Sequence, residues 1–185
     1  MNWNLETWGD DLTVRLRNAL ASNFQLLTAD LDPADVVGVG AYTDADATNV
    51  VAAVHTRDHY RAALERRPQY ANYFLWSIGE WDLRFFEHLD EDALQSVNSE
   101  LLTRSRDASI APARDVYRTT VWNAVVRALS EVVDNDLDAY FAGAVRAFEP
   151  IDADVAEAEI RGWTAQLNGP ELMVKYDAWV ANPSS

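Results

Sequence analysis

The sequence predicts an α+β fold in a single domain spanning residues 1–185, with a small, mostly antiparallel sheet packed against several helices. Three observations predict it. Two runs rich in β-branched residues, 36–43 and 48–56, flank the turn-like Asp44-Ala-Asp-Ala47 and read as a hairpin. Leu12, Leu16, Leu20, Phe24, Leu27 and Leu31 recur every three or four residues, the mark of a helix with one buried stripe. A length of 185 residues, 49% hydrophobic and 24% charged, suits one domain with its own core.

Taken in order, Asp10 and Asp11 suit the first turn of the leading helix, and Asp32-Pro33 breaks it. In the hairpin, Gly38 and Gly40 leave one strand face bare, which invites close approach by a helix. Thr56 can cap a helix carrying Tyr60, Ala63 and Leu64, and Pro68 ends it. The aromatic run over residues 70–76 reads as including a short third strand. Ser77 and Glu80 have capping-box spacing, with Trp76 and Trp81 at the hydrophobic-staple positions, so two indoles would close over the first turn of a helix.

Beyond this clasp, Asp90 caps a helix through Leu94, Val97 and Leu101. Pro112 begins a long one through Tyr117, Val121, Val125, Leu129 and Val132, and Asp134-Asn-Asp136 ends it. Residues 142–149 read as a further strand closed by Pro150. Asp152 and Asp154 offer caps for a helix bearing Val155, Glu159, Ile160, Trp163 and Leu167. Asn168-Gly-Pro170 separates it from a last helix with Leu172, Tyr176 and Trp179, and residues 181–185 read as a frayed tail.

Thirty acidic residues against fifteen basic ones leave a net charge of −15, which disfavours nucleic-acid backbones and anionic membranes as partners and fits a basic partner or plain solubility. The absence of cysteine excludes disulfides, thiolate chemistry and cysteine zinc sites. The first residues lack the basic region and apolar run of a signal peptide, and no stretch reaches the ~20 apolar residues of a membrane span. The expectation is a cytoplasmic protein. Arg57, Arg61, Arg66 and Arg67 form one local positive cluster, read as a solvated face pairing with nearby carboxylates and, second, as a patch for an anion or an acidic partner.

No motif for a metal or cofactor is complete, and none is expected. His55 and His59 are four apart, as on a zinc-binding helix, but Thr56 stands where a metalloprotease has its glutamate. Asp134, Asp136 and Asp138 alternate like the start of a calcium loop, yet Ala139 and Val145 replace the required glycine and bidentate glutamate. Gly38 and Gly40 lack the third glycine of a dinucleotide fingerprint, Thr43 standing in its place. No catalytic residue can be singled out among so many carboxylates.

Three segments carry a resemblance: Val39-Gly-Ala-Tyr-Thr-Asp44, Trp76-Ser-Ile-Gly-Glu-Trp81 and Leu167-Asn-Gly-Pro-Glu171. Together they resemble the uncharacterised bacterial family known as domain of unknown function 4303. Ile78 departs from the proline common there, and His55 from the usual asparagine. The resemblance implies an α+β fold and carries over no activity and no catalytic residue.

Two functional readings follow. The first is a non-enzymatic acidic interaction protein that neutralises or regulates a basic partner such as a toxin, because opposite charge speeds association. The second is a small-molecule binder or hydrolase with an aromatic pocket at Tyr42, Tyr73, Trp76 and Trp81.

Overall fold

The leucine stripe does what its spacing predicts as far as Leu27: Leu12, Leu16, Leu20, Phe24 and Leu27 are all buried along helix α1, Leu5–Thr28, while Leu31 lies past its end and is half-buried. The computed structural model describes residues 5–81, 93–135 and 143–182. Within these, α1 is followed by strand β1 (Val36–Asp44), strand β2 (Val51–Thr56), α2 (Arg57–Arg66) and α3 (Ala71–Trp76). Helices α4 (Gln95–Ser105) and α5 (Arg114–Asn135), strand β3 (Val145–Ile151), and helices α6 (Glu157–Leu167) and α7 (Pro170–Ala181) complete the order. None of the described helices is long and apolar enough to cross a membrane.

The fold is α+β, with a three-stranded sheet in the order β2-β1-β3. The expectation of a mostly antiparallel sheet holds for the hairpin alone. β1 pairs antiparallel with β2 through Gly40↔Ala53 and parallel with β3 through Gly40↔Ala147, so the sheet is mixed. The parallel pair follows from chain path, because the long connection from β2 to β3, which holds helices α2 to α5, returns the chain to the end of the sheet where β1 begins.

Strand alternation sorts the sheet into two faces. Val39, Ala41, Ala52, Val54 and Phe148 join the main core beneath α1 and α5, whose facing stripe includes Tyr117, Val121, Val125, Leu129 and Val132. Trp163 of α6 belongs to the same core, edge-on to Trp122 at 5.9 Å and to Phe148 at 5.2 Å. The opposite face carries Gly38, Gly40, Tyr42, Ala53, His55 and Ala147, under α2, α3, α7 and the 3-10 turn Ile78–Glu80. Helices thus lie on both sides of the sheet.

Both outer strands meet an asparagine. At the start of β2, Asn98 of α4 accepts from the Val50 N–H at 2.8 Å and donates to the Val50 carbonyl at 3.0 Å. Against β3, Asn168 accepts from the Arg146 N–H at 2.9 Å and donates to the Arg146 carbonyl at 2.6 Å. Each carboxamide replaces a neighbouring peptide group.

Several local expectations are corrected. Residues 71–76 are helical rather than a strand, and spacings of three and four bring Tyr70, Tyr73 and Phe74 together around the start of α3. Asp10 and Asp11 lie past the first turn of α1, paired with Arg127 and Arg15. The hairpin connection runs beyond Asp44-Ala-Asp-Ala47, because the Asp44 carboxylate binds both the N–H and the hydroxyl of Thr48. Neither Asp152 nor Asp154 caps α6, which starts after Ala156 without a side-chain cap. Thr56 does cap α2, accepting from the His59 N–H at 3.3 Å. Asp90, Asp136, Asp138 and the last three residues lie outside the described residues, as does the side chain of Asp134.

Candidate functional site

The tryptophan clasp does not close as a staple. Ser77 precedes the 3-10 turn Ile78–Glu80 but makes no side-chain cap, and Glu80 instead accepts from the Tyr73 hydroxyl at 3.1 Å. The carboxylate at the start of the turn comes from β3: Glu149 accepts from the Ile78 N–H at 3.1 Å. Burial pushes the Glu149 carboxyl above its ordinary pKa, and the N–H groups of Ile78 and Gly79 oppose that rise.

The two indoles part company. Trp76 packs with Val145 and Tyr176, its ring 5.1 Å from the tyrosine ring, while Trp81 joins Ala53, Ile78 and Ala147 on the glycine face. A Cβ on Gly38 would meet the Trp81 ring at 3.0 Å, so an indole rather than a helix covers the bare face. Both indoles are buried, and among the described residues neither Nε1 finds an acceptor. Trp76 and Trp81 are therefore core residues here, and the four aromatic residues expected in one pocket are dispersed.

Trp81 also stacks on His55, with centroids 5.4 Å apart and planes 3° from parallel. His59 and Tyr60 stand edge-on to the same imidazole at 5.6 Å each. Burial lowers the His55 pKa to about 3, His59 adds to the fall, and the Phe74 carbonyl opposes both without being placed to accept a hydrogen bond. His55 is thus a neutral core residue in β2. Among the described residues no group of three metal-ligating side chains assembles around it or elsewhere.

This burial makes stability depend on pH. Above pH 6.5 the imidazole is neutral in folded and unfolded chains alike, so it adds no slope. As pH falls below 6.5, only the unfolded chain takes the proton until about pH 3 is reached, and stability declines. The expected loss from His55 alone is about 2 kcal/mol at pH 5. Glu149 works in the opposite sense, since a raised carboxyl pKa favours the fold in acid and loses that contribution as pH rises. Urea titrations of the native chain and of His55→Phe, which keeps a ring on Trp81, isolate the imidazole. Equal pH slopes in the two proteins would count against a buried neutral His55.

Two of the cavities among the described residues lie beside the expected pocket residues. The larger, about 780 Å³, opens at the carboxyl ends of β1 and β3. Asp44, Asp46, Asp107 and Asp152 line it, against Arg106 and Arg114. Asp152 sits at φ 60° and Ala47, buried in the hairpin connection behind it, at φ 54°, a left-handed backbone that residues other than glycine rarely adopt. Tyr42 touches this cleft and also packs against the Trp81 group. The smaller cavity, about 230 Å³, lies between α3 and α7 and takes Tyr73.

Of the four expected pocket residues, Tyr42 and Trp81 share one packed group, Trp76 belongs to another, and Tyr73 faces the small cavity. Of the cleft aspartates, Asp44 and Asp46 were visible only as turn residues and Asp152 as a cap, and Asp107 was not singled out. The positive cluster divides: Arg57 pairs with Asp35 at 3.8 Å, Arg61 with Asp58 at 4.0 Å, Arg66 donates to the Ala62 carbonyl, and Arg67 lines the small cavity. No family model matches this chain, and no match was found among the curated proteins or the solved structures compared with it.

Proposed function

We propose that this chain is a non-enzymatic interaction protein that binds a basic protein partner, of which a toxin is one kind, at the cleft beyond the carboxyl ends of β1 and β3. The observation that carries this reading is how the charge is distributed. Against a net charge of −15, five arginines outside the cleft are paired within the chain: Arg15 and Arg104 with Glu100, Arg118 with Asp115, Arg127 with Asp10, and Arg161 with Asp177. Asp44, Asp46, Asp107 and Asp152 line the cleft without an arginine partner among the described residues. Carboxylates outside ion pairs beside an open cleft draw in cations and set the register of a basic surface.

The resemblance to domain of unknown function 4303 belongs to the same proposal. Its three segments, far apart in sequence, converge on the sheet: the first is in β1, the second covers Gly38 and Gly40, and the third holds the edge of β3 through Asn168.

Capture of partners by the tagged protein from its native host, repeated at raised salt, tests the reading. A stoichiometric basic partner is expected, weakened by salt. Its capture should be lost with Asp46→Lys and Asp152→Lys together and kept with Glu65→Lys on α2. No partner, or one indifferent to salt and to the cleft reversals, would overturn it.

A further inference from the structure

The cavity between α3 and α7 shares no lining residue with the acidic cleft. Four rings form its walls, Tyr70, Tyr73, Phe74 and Trp179, together with Arg67 and Glu80. The first three rings meet at tilted or edge-on angles with centroids 5.9–6.4 Å apart. Trp179 is held from behind by Tyr176 at 5.7 Å, which itself packs on Trp76. Tyr70 and Tyr73 stay 38% and 39% exposed, so this aromatic surface is left open.

Its polar groups narrow what can enter. Arg67 and Glu80 carry opposite charges on one cavity, yet they form no ion pair with each other, and Arg67 has no carboxylate partner among the described residues. Glu80 holds the Tyr73 hydroxyl with one oxygen, and the other has no partner among the described residues.

A plain cation would enjoy the rings and Glu80 but meet the Arg67 guanidinium. A plain anion would meet Glu80. Separated charges of both signs are matched by a ligand that carries both, with an apolar body to lie among the rings. The volume of about 230 Å³ falls below the ~300–1,000 Å³ of pockets for drug-sized ligands and limits that body to a single side chain. We infer that this cavity binds a free α-amino acid with an aromatic or large aliphatic side chain, its carboxylate toward Arg67 and its ammonium toward Glu80.

Isothermal titration of the full chain with each of the twenty free amino acids tests the site. L-phenylalanine, or another large apolar member of the set, is expected to bind with saturation. For L-phenylalanine the controls are phenethylamine, which lacks the carboxylate, and 3-phenylpropanoate, which lacks the ammonium. Each should bind roughly tenfold more weakly, the loss of one charged hydrogen bond.

Two surface variants then separate the charges. Arg67→Gln should erase the preference for the amino acid over phenethylamine, and Glu80→Gln the preference over 3-phenylpropanoate. Saturable binding with both preferences, each erased by its own variant, supports the proposal. No binding by any of the twenty at millimolar concentration overturns it, and so does binding that is indifferent to both variants. Because Asp46 and Asp152 lie in the other cavity, the cleft reversals leave this titration unchanged, and either proposal can fail alone.

Discussion

Gly40→Ala is expected to lower the stability of the fold by ~3 kcal/mol or more, at or above the upper end of what overpacking a core costs. Gly40 lies in the central strand, opposite Ala53 on one side and Ala147 on the other. A methyl group there would collide with the carbonyl oxygen of Ala147 and would meet Ile78 Cδ1 at 3.0 Å. The side chain of Ile78 can turn away. The Ala147 carbonyl is backbone of the paired strand, so relief requires β1 and β3 to separate.

Gly162→Ala supplies a control of opposite sign. Gly162 lies exposed within α6, a Cβ there meets nothing within 4 Å, and alanine should stabilise the helix by about 0.5–1 kcal/mol. Urea midpoints of the three proteins decide the matter. A Gly40→Ala protein as stable as the native chain would show that β1 and β3 do not pack as described.

Trp81→Ala is expected to cost ~3–5 kcal/mol, as for other large aromatic residues removed from a core. The indole is 3% exposed and covers both the bare backbone at Gly38 and the ring of His55. Losing it opens a cavity on the glycine face and lets water reach the imidazole. The His55 pKa should then climb from about 3 toward its ordinary 6.5, so this variant would also lose much of the decline of stability in acid.

Gly38→Ala, which presses on the same ring, should be destabilising in the native chain and much less so beside Trp81→Ala. That departure from additivity is the signature of direct contact. Strictly additive effects would place the indole elsewhere.

The parts of the fold that were legible in the sequence are those whose signals are local. The stripes of α1 and α5, the Thr56 cap and the hairpin depend on neighbours within a few residues, and each formed. What misled was composition without period. Residues 70–76 hold four aromatic residues and so resemble a strand, yet the spacing of Tyr70, Tyr73 and Phe74 was helical all along.

Other misreadings have distant causes. The capping box at Ser77 and Glu80 was displaced by Glu149, which sits 71 residues from the N–H it accepts. The cavity between α3 and α7 draws Trp179 from the last helix, which nothing near Tyr73 could signal. Trp76 and Trp81, neighbours in sequence, were drawn apart by Tyr176 and His55.

The asparagines beside the outer strands bear on how this chain behaves among copies of itself. A sheet whose outer strands present free peptide groups can grow by recruiting a strand from another molecule, the first step toward fibres and swapped dimers. Here Asn98 occupies both peptide groups of Val50, and Asn168 both of Arg146. An incoming strand must first dislodge a carboxamide that already satisfies two hydrogen bonds, on either flank. Each flank of the sheet thus carries one such obstacle to sideways growth, at Val50 beside β2 and at Arg146 in β3.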